Sequence, residues 1–203
     1  MKTIEVKLYS FNELSEEAKQ NAIKKEGNNE HRLNYDWYEF VYEDWMQKIQ
    51  DVGFDISKIY FSGFWSQGDG AMFEYDGLDD KLKLEFINQL PLSDMRKGWL
   101  INNISISGKG KQRGHYYHEK SCSHSIYWEV DNGDLHWSRD LYKWLESFSD
   151  DFENWIEDKY IDLCCDLYKA LEDEYDYLMS EDTIRTELSE DDFTEYTEDG
   201  NRY

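Results

Sequence analysis

The chain has 203 residues, 17% of them aromatic, and carries 45 acids against 22 Lys and Arg, a net charge of −23. That length fits one domain, or one domain with an appendage. A surplus of this sign excludes direct binding to nucleic acid or to an anionic membrane through the acidic part, and it attracts a basic protein surface.

In chain order, residues 3–9 (TIEVKLY) alternate and are β-branched, which predicts a strand. Asn12 or Ser15 caps a helix that Lys24 and Lys25 close and Gly27 stops. Over 35–51, Trp37, Phe40, Val41, Trp45 and Ile49 recur at helical steps, so a second helix packs on a core and ends at Gly53. Lys58 to Trp65 and Ala71 to Tyr75 read as strands, with glycines in SQGDG for a tight connection. Residues 80–90 suit a short helix before Pro91. Trp99 to Ser107 alternates as a strand, GKGKQRG follows as a basic loop, and His115 to Val130 returns antiparallel.

From Ser138 to Met179 the pattern turns helical. Leu141, Leu145, Phe148, Phe152, Trp155, Ile156, Leu163, Leu167, Leu171 and Leu178 form the apolar stripe, in one helix or in two broken near Ser147–Asp150. The tail adds a short capped helix (SEDTIRTEL), a strand-like FTEYT and an EDGN turn. The expected fold is α+β: a mostly antiparallel sheet of four to five strands, helices on one face, and a long acidic C-terminal helical region. Residues 1–136 would form the core. Residues 137–203 would pack on it as the acidic part of the same domain.

Charge is uneven. Residues 1–128 hold 20 acids and 16 bases, and residues 129–203 hold 25 acids and 6 bases, so the two parts carry −4 and −19. On the long helix Glu146, Asp150, Glu153 and Glu157 step by four, three and four. Asp158, Asp162 and Asp166 make what reads as a neighbouring stripe, and Glu172 and Asp173 extend it. Carboxylates about 5–6 Å apart on a rigid helix offer a negative row comparable to a row of phosphates. The plainer reading is a solvated face that keeps an aromatic-rich chain soluble.

Other motifs carry less. The glycines of 63–70 lack the lysine of a phosphate loop and read as a turn, on which Trp65, Gln67 and Asp69 could line a recognition surface. His115, His118, Cys122 and His124 invite a metal. On a strand, however, positions 115 and 118 face opposite sides, and no CxxC pair or HExxH motif is present. Cys122 with His118 or His124 is the one local nucleophile–base candidate, without an elbow or triad signature. Lys109, Lys111, Arg113 and Lys120 read as a basic loop that pairs with the acidic half or faces solvent. No catalytic residue, metal or cofactor is expected. Three Cys, two of them adjacent, give no disulfide framework, so a reducing cytoplasm fits. The opening residues lack the apolar run of a signal peptide, and no stretch reaches the ~18 apolar residues that span a bilayer.

Four blocks, SFNELSEEAKQNAI at 10–23, IYFSGFWSQGDGAMFE at 59–74, GHYYHEKS at 114–121 and FTEYTEDGNRY at 193–203, carry a resemblance. The chain resembles a family of small acidic proteins of bacteriophages and other mobile elements, often labelled antitoxin-like. The resemblance implies an accessory protein of the host cytoplasm and transfers no functional residue. Together with the charge, it gives a first expectation: a counter-defence inhibitor that mimics nucleic acid and blocks a host nuclease, CRISPR effector or other nucleic-acid-binding protein. The alternative is an antitoxin-like binder working through Trp37, Tyr38, Tyr42 and Trp65. A homodimer stays open in either case.

Overall fold

The computed structural model describes residues 5–29, 31–130 and 139–203, with the side chains of 139–142 left aside. The division expected at 136/137 lies outside the described residues. The chain gathers into two compact units, Met1–Glu39 with Leu171–Tyr203, and Phe40–Ala170.

In the first unit, helix α1 (Glu16–Gly27) starts at Ser15, whose hydroxyl accepts the Ala18 N–H at 3.2 Å. This satisfies one of the helix's open amide donors. Phe11, Leu14, Ala18, Ala22 and Ile23 close a small core with Ile184, Leu188 and Tyr196. The expected strand over 3–9 is absent from its described part. Residues 5–8 are not in a strand, and Tyr9 makes a single antiparallel bridge to Tyr196. Val6 is exposed, so the alternation there buries no apolar face. The EDGN segment does turn, with Gly200 at φ 76° pressed onto the Ala18 carbonyl.

The second unit carries the sheet. Helix α2 (Glu39–Val52) begins four residues later than expected, so Trp37 falls before it. Of the five proposed core residues only Trp45 and Ile49 are buried, while Phe40 is 82% exposed. Strands β1 (Phe54–Phe61) and β2 (Ala71–Leu78) pair antiparallel. Helix α3 (Asp80–Gln89) follows an Asp79 cap, and α4 (Asp94–Asn103) follows Ser93. Then come β3 (Ile104–Gln112) and β4 (Cys122–Val130), in the order β1-β2-β3-β4, antiparallel throughout. The α+β class is therefore as expected, with four strands among the described residues.

Two sequence readings are corrected here. Trp99–Asn103 is helical, and the strand begins only at Ile104. The run WLINNISIS fits both periods, since Leu100 and Ile104 are four apart and both are buried. Of the supposed basic loop over 108–114, residues 108–112 are strand, and the glycines there are positions where aromatic and aliphatic side chains cross the sheet. A Cβ on Gly110 would meet the Tyr75 ring at 2.3 Å, and one on Gly108 would meet Leu78 at 2.7 Å. Gly110 pairs with Tyr75 on one side and His124 on the other. Tyr75 lies across it and bonds His124 Nδ1 through its hydroxyl at 2.9 Å.

Helix α5 (Arg139–Leu178) is one helix of 40 residues, with no break at Ser147–Asp150. Within the second unit its buried stripe is Leu145, Phe148, Phe152, Ile156, Tyr160, Cys164 and Leu167. Tyr160 and Cys164 replace Trp155 and Leu163 of the expected stripe, both of which are half-buried. The Leu141 side chain lies outside the described ones. The Tyr160 hydroxyl donates to the Phe73 carbonyl at 2.8 Å and accepts the Phe73 N–H at 3.3 Å. Phe86 of α3 packs on Phe148 and Phe152 at 5.5 and 5.2 Å between ring centroids.

Gly110→Ala is expected to destabilise the fold by about 1–3 kcal/mol through overpacking against Tyr75. Tyr160→Phe should cost about 1–3 kcal/mol, because both backbone groups of Phe73 lose a buried partner. Urea unfolding midpoints at neutral pH measure both, and an unchanged midpoint would refute the corresponding contact.

Candidate functional site

Glu146, Asp150, Glu153, Glu157, Asp158, Asp162 and Asp166 are all exposed on α5. None of the seven lies within ion-pair distance of a cation among the described residues. Lys159, the one base between them, instead pairs with Glu85 at 2.7 Å. At about 100° per residue, Glu146, Asp150, Glu153 and Glu157 fall within a sector of about 60°. They span about 16 Å of helix.

Asp158, Asp162 and Asp166 do not form the neighbouring stripe expected. Their sector is centred about 150° away, on the opposite flank, because the step from Glu157 to Asp158 is a single residue. Glu172 and Asp173 belong to the other compact unit, and both engage in interactions of their own. The row that one partner could grip at once is therefore Glu146 to Glu157.

Burial, and then the nearby charge of Asp150, raise Glu153 above the ordinary carboxylate range. Glu153 and Glu157 also line a cavity of about 250 Å³ with Arg113, Cys122, Ser123, His124 and Ile126. Arg113 thus does face the acidic helix. Lys111 does not, since it pairs with Asp76 at 2.8 Å and Glu74 at 3.6 Å on β2.

In that cavity wall burial lowers His124, and burial also raises Tyr75, so a neutral imidazole and an intact phenol share the hydrogen bond between Nδ1 and the hydroxyl. Cys122 lies 4.0 Å from the same nitrogen, and burial pushes its thiol up to about 11. It is therefore a thiol at neutral pH, the opposite of an activated nucleophile. His118 is engaged elsewhere, its Nδ1 accepting the Lys120 N–H at 3.1 Å in a short 3₁₀ turn. His115 and His118 lie in the connection before β4, so the strand argument about their faces does not apply. No group of three potential metal ligands is found among the described residues.

The second expected component is the Ser62–Gly70 connection between β1 and β2. Asp69 does not face outward as a contact residue. Its carboxylate takes the N–H groups of Trp65 at 2.9 Å and Ser66 at 2.6 Å. Ser62 and Gly70 close the base, Ser62 N–H onto the Gly70 carbonyl and Gly70 N–H onto the Ser62 hydroxyl, both at 3.2 Å. Gly63 and Gly68 have φ of 118° and 95°. Trp65 stands 77% exposed at the tip, beside exposed Gln67.

Tyr168 of α5 anchors this loop, and the sequence reading missed it. Its hydroxyl donates to the Gly63 carbonyl at 3.2 Å, and its ring meets Phe64 at 5.5 Å. Trp37 and Tyr38, proposed for an aromatic surface, are half-buried and pack edge to face at 5.6 Å, with Tyr175 behind Trp37 at 5.8 Å. Tyr42 is half-buried too.

Because Glu153 is raised in the folded state, folding takes up protons there, and stability is lost as pH rises past the ordinary carboxylate range. Glu153→Gln should therefore gain a few tenths of a kcal/mol at neutral pH, the size of a relieved like-charge helix pair. The gain should vanish well below that range, where Glu153 is protonated in both states. Thermal unfolding of both proteins at the two pH values checks this, and an equal gain at both would refute it.

No helix among the described residues is long and apolar enough to cross a membrane. No curated protein and no solved structure matches the chain. A family model does match, over residues 37–181, which takes in the sheet, the Trp65 loop and the whole of α5. The chain belongs to that family, described as a domain of unknown function, DUF8835.

Proposed function

We propose that this protein is an inhibitor that lays the Glu146–Glu157 row of α5 into the basic groove of a nucleic-acid-handling protein. In this reading it is a phage-borne counter-defence factor of the host cytoplasm, and its target is a nuclease, a CRISPR effector or another nucleic-acid-binding protein. It acts by mimicry and not by catalysis. The observation that carries the reading is the row itself. Four exposed carboxylates share one flank of a helix, and none has a cation within ion-pair distance among the described residues. A groove lined for phosphates meets the same sign and a similar spacing there.

The antitoxin-like alternative narrows to one residue. Trp37, Tyr38 and Tyr42 are half-buried, whereas Trp65 presents most of its surface. That reading makes salt matter less to binding, while mimicry makes binding strongly salt-dependent.

The test is capture from host lysate by the immobilised protein, with and without competing duplex DNA. Mimicry predicts that nucleic-acid-binding proteins are retained at about 50 mM salt and largely lost by about 200 mM. Duplex DNA should elute them, and E146Q/D150N/E153Q/E157Q should not retain them. Retention that resists salt and DNA, or that survives the fourfold neutralisation, overturns the proposal.

A further inference from the structure

The two edges of the sheet are protected differently. β1 carries Asp55 and Lys58, and its register against β2 shifts between Asp55 and Ile56 and again between Ile56 and Lys58. Charges and irregularities of this kind keep another strand from adding to an edge. β4 pairs with β3 residue for residue, and its first stretch, Cys122 to Ile126, contains no Lys, Arg, Asp or Glu. It ends the strand order, and no described residue pairs with its outer side. Just before it, the Arg113 N–H donates to the Ser121 carbonyl at 2.6 Å, so those two form a hydrogen-bonded pair. Bonding alternates along an antiparallel ladder. Ser123 and Ser125 therefore bond to β3, whereas Cys122, His124 and Ile126 turn their N–H and C=O groups to the open edge. The same three residues line the cavity of about 250 Å³ together with Glu153 and Glu157 of α5. Open backbone and two carboxylates of the row thus share one wall.

We propose that the Cys122–Ile126 edge receives an extended segment of the basic partner as an added antiparallel strand. This rests on the mimicry reading for the partner's charge and adds backbone pairing to it. Charge selects the occupant. His124 faces α5, with its ring on Tyr160 at 4.6 Å, and Cys122 and Ile126 share that face by alternation. Residues paired across an antiparallel ladder carry their side chains on the same face. The partner residues that bond β4 therefore point toward Glu153 and Glu157, where Lys or Arg meets opposite charge. Arg113, at the Ser121 end of the wall, favours cations opposite His124 and Ile126. A second copy of this chain is the poorer occupant. Its twofold axis would stand normal to the joined sheet and bring both acidic rows onto one face.

The probes are N-acetylated, C-amidated heptapeptides of alternating Lys and Thr, titrated calorimetrically into the full chain. The Lys–Thr peptide should bind, and a Glu–Thr peptide should not. N-methylation of the Lys residues removes the N–H groups that pair with β4 and should weaken binding about tenfold or more. N-methylation of the Thr residues, whose N–H groups point to solvent, should weaken it less than about threefold. E153Q/E157Q should weaken the unmodified peptide and flatten its salt dependence. Absence of binding, equal losses from the two methylated peptides, or equal binding of the Glu–Thr peptide overturns the proposal. So does a chain that sediments as a dimer and loses peptide binding as it dimerises, since a second copy then holds the edge. If the two methylated peptides do not differ while E153Q/E157Q removes binding, the strand fails and the acidic row stands. If they do differ while E153Q/E157Q changes nothing, the mimicry reading fails at this edge and the basic occupant with it.

Discussion

The rotation of α5 about its own axis is the constraint on which the surface depends. A 40-residue helix has many ways to lie on a sheet, and each would expose a different set of its carboxylates. The Tyr160 hydroxyl removes that freedom by serving both the N–H and the C=O of Phe73. Around it, Tyr160 packs on Phe73 at 4.5 Å and on His124 at 4.6 Å between ring centroids. A hydroxyl bound twice to one backbone residue fixes position along the helix as well as rotation about it. Relative to Tyr160, Glu146, Asp150, Glu153 and Glu157 lie about 20–80° round the helix, so they flank the packed face on one side and are exposed there.

The sheet is shaped to receive this contact. β2 and β3 share one register pair, Tyr75↔Gly110. Near it, side chains take over the work of the ladder, with Glu74 accepting the Gln112 N–H at 3.0 Å and Tyr160 serving Phe73. Backbone groups at a sheet seam need partners wherever they are buried, and here polar side chains supply them. The glycines of β3 belong to the same solution. With no Cβ at 110, the Tyr75 ring can cross the strand and reach His124, an aromatic cover for a glycine that would otherwise weaken the sheet. The Trp65 loop uses glycine in the same way, at Gly68 under Tyr116 and Gly70 under His118.

Local chemistry was legible in the sequence wherever it was dictated locally. Ser15, Asp79 and Ser180 are caps because a short polar side chain precedes a helical pattern, and each accepts the amide that such a cap accepts. The acidic row was legible as a spacing, but its partition between two flanks needed the helix phase to be followed residue by residue. What misled were segments with two valid periods. WLINN reads as a strand by alternation and as a helix by Leu100 to Ile104, and only packing decides. Lys109 and Lys111 suggested a loop because two glycines stood among them, whereas those glycines answer to Leu78 and Tyr75, distant in sequence. Tyr160 and Cys164 were passed over in the stripe because a hydroxyl and a thiol do not score as apolar, yet both are fully buried. The role of Asp69 was hidden for the opposite reason. An exposed-looking acid in a glycine-rich turn suggests contact with a partner, and it is spent on the loop's own amides.

A solubilising role alone does not account for where the acids sit. Solubility is served by scattered charge of either sign, and mixed signs avoid repulsion along a helix. Here Lys159 turns away to Glu85 of α3, and Glu153 is left with its proton affinity raised beside Asp150. Repulsion retained within one flank weakens the isolated protein, and on the proposed reading a cation-lined partner would relieve it. The opposite flank, Asp158 to Asp166, is exposed as well and suits the plainer solvating role. On the proposed reading, the two flanks of one helix divide the surplus charge between recognition and solvation.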